Sequence, residues 1–205
     1  MAETPTRDEA LALVHEYTAS ENLRRHMYAV EAAMRAYARE FGEDEKSWGV
    51  TGLIHDFDYE RWPNDDHAPD AEHPSQGVSI LRERGWPEDV LHAVMAHADY
   101  TGVEPETRMA RALRAVDELT GFVMACALIR PTGISDLEPK SVKKKLKDKR
   151  FAAAVSREHM RRDWDALGVD HTEHIERVIA AMRGVADSLG FAADGTPADG
   201  TSADA

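Results

Sequence analysis

Residues 53–62 read LIHDFDYERW. An apolar run closes on a histidine and an aspartate side by side, and further acids and a tryptophan follow at once. Imidazole and carboxylate both bind divalent metal ions. The same two groups also sit as ordinary polar residues at the end of a buried helix. The chain has ten histidines and 38 acidic residues. About one His-Asp neighbour pair is then expected by chance, so the surrounding sequence has to decide between the two readings.

Working outward, helical periodicity dominates and no segment alternates like a strand. Residues 44–56 read as a helix that ends at the pair. Before it, 7–19 and 21–41 read as amphipathic helices, the second with Ser20 as N-cap and Gly42 just past its end. After it, 57–73 is rich in Asp, Pro, Asn and His and reads as a loop. Helices follow over 74–84, 87–98 (with Pro87 in a tolerated first-turn position) and 106–129. Beyond Pro131 the pattern predicts shorter helices near 139–147 and 148–154, then longer ones near 156–167 and 171–189. This is the pattern of an all-α protein with one domain over 1–190. Its core spans roughly 20–130 and a helical extension follows. The last stretch, FAADGTPADGTSADA (191–205), reads as disordered from about Ala192.

Composition bounds the function. Hydrophobic residues make up 42% and charged residues 31%, an ordinary globular balance. No apolar run is long enough to span a bilayer, and the polar N-terminus has no signal-peptide pattern, so no membrane association is expected. The single cysteine, Cys126, lies in the apolar run GFVMACALI and reads as a small buried hydrophobe; a reducing cytoplasm fits best. The net charge of −13 repels phosphate backbones and argues against a nucleic-acid polymer as partner.

Several polar residues occupy positions that helical spacing assigns to apolar faces. His26 falls in the stripe of Leu23, Met27, Val30, Met34 and Tyr37. Asp117 is surrounded by Ala110, Leu113, Val116, Thr120 and Met124. His97 shares a face with Val90 and Val94, whereas His92 points the other way. An aspartate on such a face costs several kcal/mol unless it is paired, protonated or metal-bound. His73 stands in the loop motif EHPSQG. Taken singly, each has an ordinary explanation: a hydrogen-bonded core histidine, a salt bridge from Asp117 to Arg111 or Arg114, or a cap-like role for His73. Taken together, one shared metal centre satisfies all of them. His15, His67, His159, His171 and His174 have no such context and read as surface residues.

The order His26, His55-Asp56, Asp117 resembles the HD superfamily of metal-dependent phosphohydrolases, over roughly residues 20–130. His73 and His97 resemble the subset of that superfamily that holds two metals. The motifs HDFDYERW, AHADYTG and AVDELTGF and the segment SVKKKLKDK look like a group of small bacterial HD-domain proteins. The resemblance implies a helical HD fold in which His26, His55, Asp56 and Asp117 ligate a first ion. Asp56 would bridge to a second ion held by His73 and His97. It implies one or two divalent transition-metal ions: manganese, iron, cobalt or zinc, with magnesium also compatible. Some HD hydrolases carry a lysine shortly after the HD pair; this chain has Asp58 and Glu60 there, so the usual transition-state cation is missing from that place.

Two divalent ions about 3.5–4 Å apart activate a water for in-line attack on phosphorus. Asp58 is a candidate to orient that water or donate a proton, or else is a solvated loop acid. The run KSVKKKLKDKR (140–150) reads either as a clamp for substrate phosphates, through Lys143, Lys144 and Lys147, or as a solvated helix face. Arg24 and Arg25, beside His26, are further phosphate candidates. The expected function is hydrolysis of a small phosphorylated substrate, a nucleotide by preference. Two alternatives stand beside it: a di-iron oxygenase on the same scaffold, and a non-catalytic sensing or scaffolding module. The amphipathic C-terminal helices fit packing within the domain and packing across a homodimer equally well.

Overall fold

The periodic stretch at 21–41 forms a helix with the ends its sequence predicts. This helix, α2 (Glu21–Phe41), follows α1 (Arg7–Tyr17) and is the second element of a computed structural model that describes residues 4–192 and 194–198. The Ser20 side chain accepts a hydrogen bond from the Leu23 N–H. Gly42 closes the helix at φ 69°, the left-handed conformation in which glycine carries no steric penalty.

The remaining helices are α3 (Glu45–Ile54), α4 (Ser75–Glu83), α5 (Glu88–Ala96), α6 (Arg108–Leu128), α7 (Pro139–Leu146), α8 (Arg157–Leu167) and α9 (His171–Arg183). Short 3-10 turns lie at Asp99–Thr101 and Ala186–Leu189. No β-strand is present among the described residues, so the architecture is all-α. Nor is any described helix long and apolar enough to cross a membrane.

α3 is buried on every side from Ser47 to Ile54. It lies against α2, and the two backbones approach closely because Gly52 has no side chain. A Cβ there would stand 2.9 Å from Met34 Cγ and 3.0 Å from the Val30 carbonyl oxygen. α6 crosses α2 and α5, while α8 and α9 pack back onto α6 and α2 within the same chain. The core runs through these contacts and includes Met27, Val30, Met34, Leu53, Val94, Leu113, Leu119 and Ile179. Cys126 is part of it, as its apolar context predicts.

A buried charge cluster ties the first three helices together. Glu31, with 6% of its side chain exposed, accepts from Arg7 Nε at 2.7 Å and Arg7 Nη2 at 2.9 Å. Arg35 Nε also donates to Glu31, at 3.0 Å, and Arg35 Nη1 reaches the Glu45 carbonyl at the start of α3.

The structure departs from the sequence expectations in several places. Residues 148–154 form turns rather than a helix. Their carbonyls are taken by the Arg157 guanidinium, which bonds to Asp148, Phe151, Ala152 and Val155. The last long helix stops at Arg183, and Gly184 follows. Residues 194–198, read as disordered, fold back onto the segment after α6. Ile134 N–H donates to the Gly195 carbonyl at 2.8 Å, and Phe191 pairs with Pro197. Residue 193 and residues 199–205 of the tail lie outside the described residues. His174, read as a surface residue, is buried on α9. Its Nε2–H donates to the Ala115 carbonyl at 3.0 Å and its Nδ1 accepts from the Tyr37 hydroxyl. Burial pushes this imidazole down to about 4, so it is neutral at pH 7.

Candidate metal centre

His55 and His97 reach the centre by the same local device. Each follows the last residue of a helix, α3 or α5, in right-handed helical conformation. At such an end the last carbonyls have no partner within the helix. His55 Nδ1–H donates to the Gly52 carbonyl at 2.8 Å, and His97 Nδ1–H donates to the Val94 carbonyl. In both cases the acceptor lies three residues back. The bond fixes the tautomer and leaves Nε2 with a lone pair aimed inward.

His73 arrives from the loop before α4. Its Nδ1 bonds to Asp58 Oδ1 at 2.7 Å, which again leaves Nε2 free to face the centre. His26 comes from the middle of α2, and its Nε2 lies 3.0 Å from Asp117 Oδ1 on α6. Thr120, one turn beyond Asp117, bonds back to the Asp117 carbonyl at 2.8 Å and faces His26 Nδ1.

These side chains form two groups. The donor atoms of His26, His55 and Asp117 lie within 4.8 Å of one another, as do those of Asp56, His73 and His97. Asp56 joins the groups. Its Oδ2 lies 3.4 Å from His55 Nε2 and 3.6 Å from His26 Nε2. Its Oδ1 lies 3.3 Å from His73 Nε2 and 3.5 Å from His97 Nε2. One carboxylate thus turns one oxygen to each set of imidazoles.

The donors fit a pair of divalent ions. His55 Nε2 is buried and has no hydrogen-bond partner. The Nε2 atoms of His73 and His97 face each other at 3.1 Å, although the outer nitrogen of each ring is already committed as a donor. A proton on one ring joins that pair, since burial lowers the His73 imidazole but Asp58 and Asp56 outweigh it and raise it above its ordinary value, and a divalent cation can take the proton's place. A mixed set of imidazole and carboxylate without thiolate suits manganese, iron, cobalt or zinc. Burial raises the carboxyls of Asp56 and Asp117, but the surrounding histidines outweigh it and hold both well below the usual range. Both are therefore ionised and available as ligands.

The six predicted ligands are thus brought together. The other predicted site residues are not. Asp58 is fully buried behind His73, with Oδ1 on His73 and Oδ2 accepting from the Gly77 N–H at 2.7 Å. It orients a ligand and has no face toward the cleft. Glu60 accepts from the Ala19 and Ser20 N–H groups at the start of α2. Arg24 Nε donates to the Thr18 carbonyl, and the Arg25 guanidinium packs against Gly190. Lys143 reaches Thr172, and neither it nor Lys144 or Lys147 lines the cleft beside the metal ligands. The helix that carries the lysines packs against α6 and α9 instead.

The cleft itself has a volume of about 630 Å³. Asp56, His73, His97 and Asp117 line it beside Tyr59, His67, Tyr100 and Arg114, and the acids Asp99, Glu118 and Asp163 are among the residues that complete it with His159. His67 and His159 are exposed, as their sequence context predicts, but both also border the cleft. The sequence names Arg114 only as a partner of Asp117, and Tyr59, Tyr100 and Glu118 carry no expectation. His67 stacks on Tyr100 with ring centroids 4.8 Å apart, and Tyr100 donates to the His73 carbonyl. Burial, reinforced by Asp117 and Asp163, pushes the Glu118 carboxyl up to about 7. Spacing alone could have pointed to Arg114, which stands one turn before Asp117 on the same face of α6. Asp117 itself pairs with neither of its predicted arginines: Arg111 Nε donates to the Pro105 carbonyl, and Arg114 turns to Asp99 and Asp163.

The Gly77 contact yields a prediction. A Cβ at Gly77 would lie 2.7 Å from Asp58 Cγ, so Gly77→Ala must displace the carboxylate that holds His73. We expect roughly 10–100-fold weaker binding of one of two ions, with the other retained, as for other lost outer-shell partners. Metal titration of the variant checks this; two unchanged binding constants would refute the role given to Asp58.

A helical domain with a bridging aspartate, four histidines and a distal aspartate defines a class of metal centre, and the comparisons name the family. Residues 23–121 match the family model "HD domain", and the chain carries an HD domain over that stretch. Among curated proteins, it is 30% identical over 102 residues to Ribonuclease Y of Oleidesulfovibrio alaskensis, covering 50% of this chain and 18% of that one. It is 31% identical over 100 residues to Ribonuclease Y of Desulforudis audaxviator, covering 49% and 18%. The chain thus spans less than one fifth of the length of these relatives. No solved structure gives a significant match. The match to the HD domain implies divalent-metal binding, and the two groups of histidine and aspartate could hold such ions.

Proposed function

We propose that this protein is a phosphohydrolase that uses two divalent metal ions and acts on a small phosphorylated molecule, a nucleotide being the class we favour. The observation that carries the reading is Asp56, whose two oxygens face two separate imidazole sets. A pair of ions, when bound there, polarises phosphoryl oxygens and acidifies water. The chain's own residues do the rest. His26, His55 and Asp117 would hold one ion and His73 and His97 the other, with Asp56 placed to serve both. Asp58 keeps His73 in the tautomer and orientation that present Nε2. Glu118, next to Asp117 in the chain, lines the same cleft wall.

The named relatives are ribonucleases, but the net charge of −13 repels a phosphate backbone, which favours a small substrate over a polymer. The single buried cysteine fits a reducing cytoplasm.

The test is elemental analysis of protein purified without chelator or affinity tag, followed by assay against a panel of nucleotides and simple phosphoesters. We expect close to two transition-metal ions per chain, and hydrolysis that chelator abolishes and manganese or cobalt restores. Two iron ions with optical bands under air, and no phosphoester cleaved, would replace the proposal with oxygen chemistry. A chain that takes up no metal would leave a non-catalytic module.

A further inference from the structure

The lysine run lies away from the cleft, and no lysine follows the HD pair. The question is then what meets the charge of a phosphoryl group. Among the described residues that line the cleft, Arg114 is the one arginine or lysine. Its side chain is 8% exposed, and its Nε is buried with no hydrogen-bond partner. It stands one turn before the ligand Asp117 on α6, on the same face of the helix. Its Nη2 pairs with Asp99, and its Nε lies 3.5 Å from Asp163 Oδ1, beyond hydrogen-bond reach.

Asp99 does not depend on Arg114. Arg162 Nη2 donates to both its oxygens, at 2.9 and 2.8 Å, and His159 Nδ1 lies 3.2 Å from Oδ2. Asp163 is likewise held by Arg162 at 2.9 Å. Each acid that touches Arg114 thus has another cation in place, while Arg114 has a donor unspent. A guanidinium gives a planar fork that matches two phosphate oxygens, and it is the side chain best suited to such recognition at a partly dry site.

We infer that Arg114 grips the phosphoryl group of the substrate, and that Asp99 is its resting partner, passed to Arg162 and His159 when the phosphate arrives. This rests on the metal centre described above and supplies the cation absent after the HD pair. Arg114 would then touch the substrate directly, and Asp99 would set how readily it does so.

The test measures binding rather than turnover. Inorganic phosphate is titrated calorimetrically into the manganese-loaded full chain and into Arg114→Gln, Arg114→Lys and Asp99→Asn. Manganese stoichiometry and affinity are measured first, and we expect them to match wild type in all three. Arg114→Gln should bind phosphate at least about tenfold more weakly, with Arg114→Lys between it and wild type. Asp99→Asn frees the guanidinium from its competitor and should bind phosphate several-fold more tightly. Wild-type affinity in Arg114→Gln would overturn the inference. Should that variant not fold, Asp99→Asn decides, since an arginine with only a structural role gives no tightening. A wild-type chain that takes up manganese but no phosphate also overturns it while leaving the centre intact. Failure to take up manganese overturns the centre itself and is seen before any phosphate is added.

Discussion

Asp56→Ala is expected to release both ions together and to lower phosphoester hydrolysis by about 10³-fold or more, with the helical content unchanged. Every other ligand belongs to one set of donors, but the Asp56 carboxylate turns one oxygen toward each. Its loss therefore weakens both positions, whereas loss of His26 or His97 weakens one directly. The magnitude follows from removing the residue on which water activation and charge neutralisation both depend. Circular dichroism, metal analysis and steady-state rates check it in one preparation. An Asp56→Ala protein that retains two ions, or hydrolyses at the wild-type rate, would remove the basis for a shared bridging ligand.

Glu31→Ala is expected to destabilise the folded protein by about 2–3 kcal/mol without touching the metal centre. The Glu31 carboxylate is nearly fully buried and neutralises two arginines that come from different turns of the chain. Its removal leaves the partly buried Arg35 between α2 and α3 with only the Glu45 carbonyl as partner, which costs more than the pair itself contributes. Arg7 loses both of its bonds as well, which frees the start of α1. Denaturant unfolding measures the difference. A change below about 1 kcal/mol would mean that water reaches the cluster and screens it as it would a surface pair. Metal affinity, measured alongside, should stay within about twofold of wild type, since additivity holds for sites that share no partner.

Much of the helix pattern was legible because its causes are local. α2 begins at Ser20 and ends at Gly42 for reasons contained in its own residues: a side-chain cap at one end and a left-handed glycine at the other. Short-range patterns misled where a distant residue supplied the missing partners. The turns at 148–154 take their carbonyl partners from Arg157, and the tail residues 194–198 take theirs from the segment after α6.

The site divides along the same line. By itself the sequence determined the all-α class and picked out six candidate ligands: His26, His97 and Asp117 because they interrupt apolar helical stripes, His55 and Asp56 because they close an apolar run, and His73 from its loop motif beside them. Only the tertiary structure decided what surrounds them. It buried Asp58 behind His73 and packed the helix of the lysine run onto α6 and α9, away from the cleft. It brought Glu118 and His159 to the cleft wall from positions with no distinguishing local pattern, and it gave Arg114, one turn from Asp117, acidic partners that spacing does not name. The physical reason is reach. Helical periodicity states which side of its own helix a residue occupies, but a cleft is bounded by several helices. Which faces meet across it depends on packing contacts such as that of α2 with α3 at Gly52, between residues far apart in the chain.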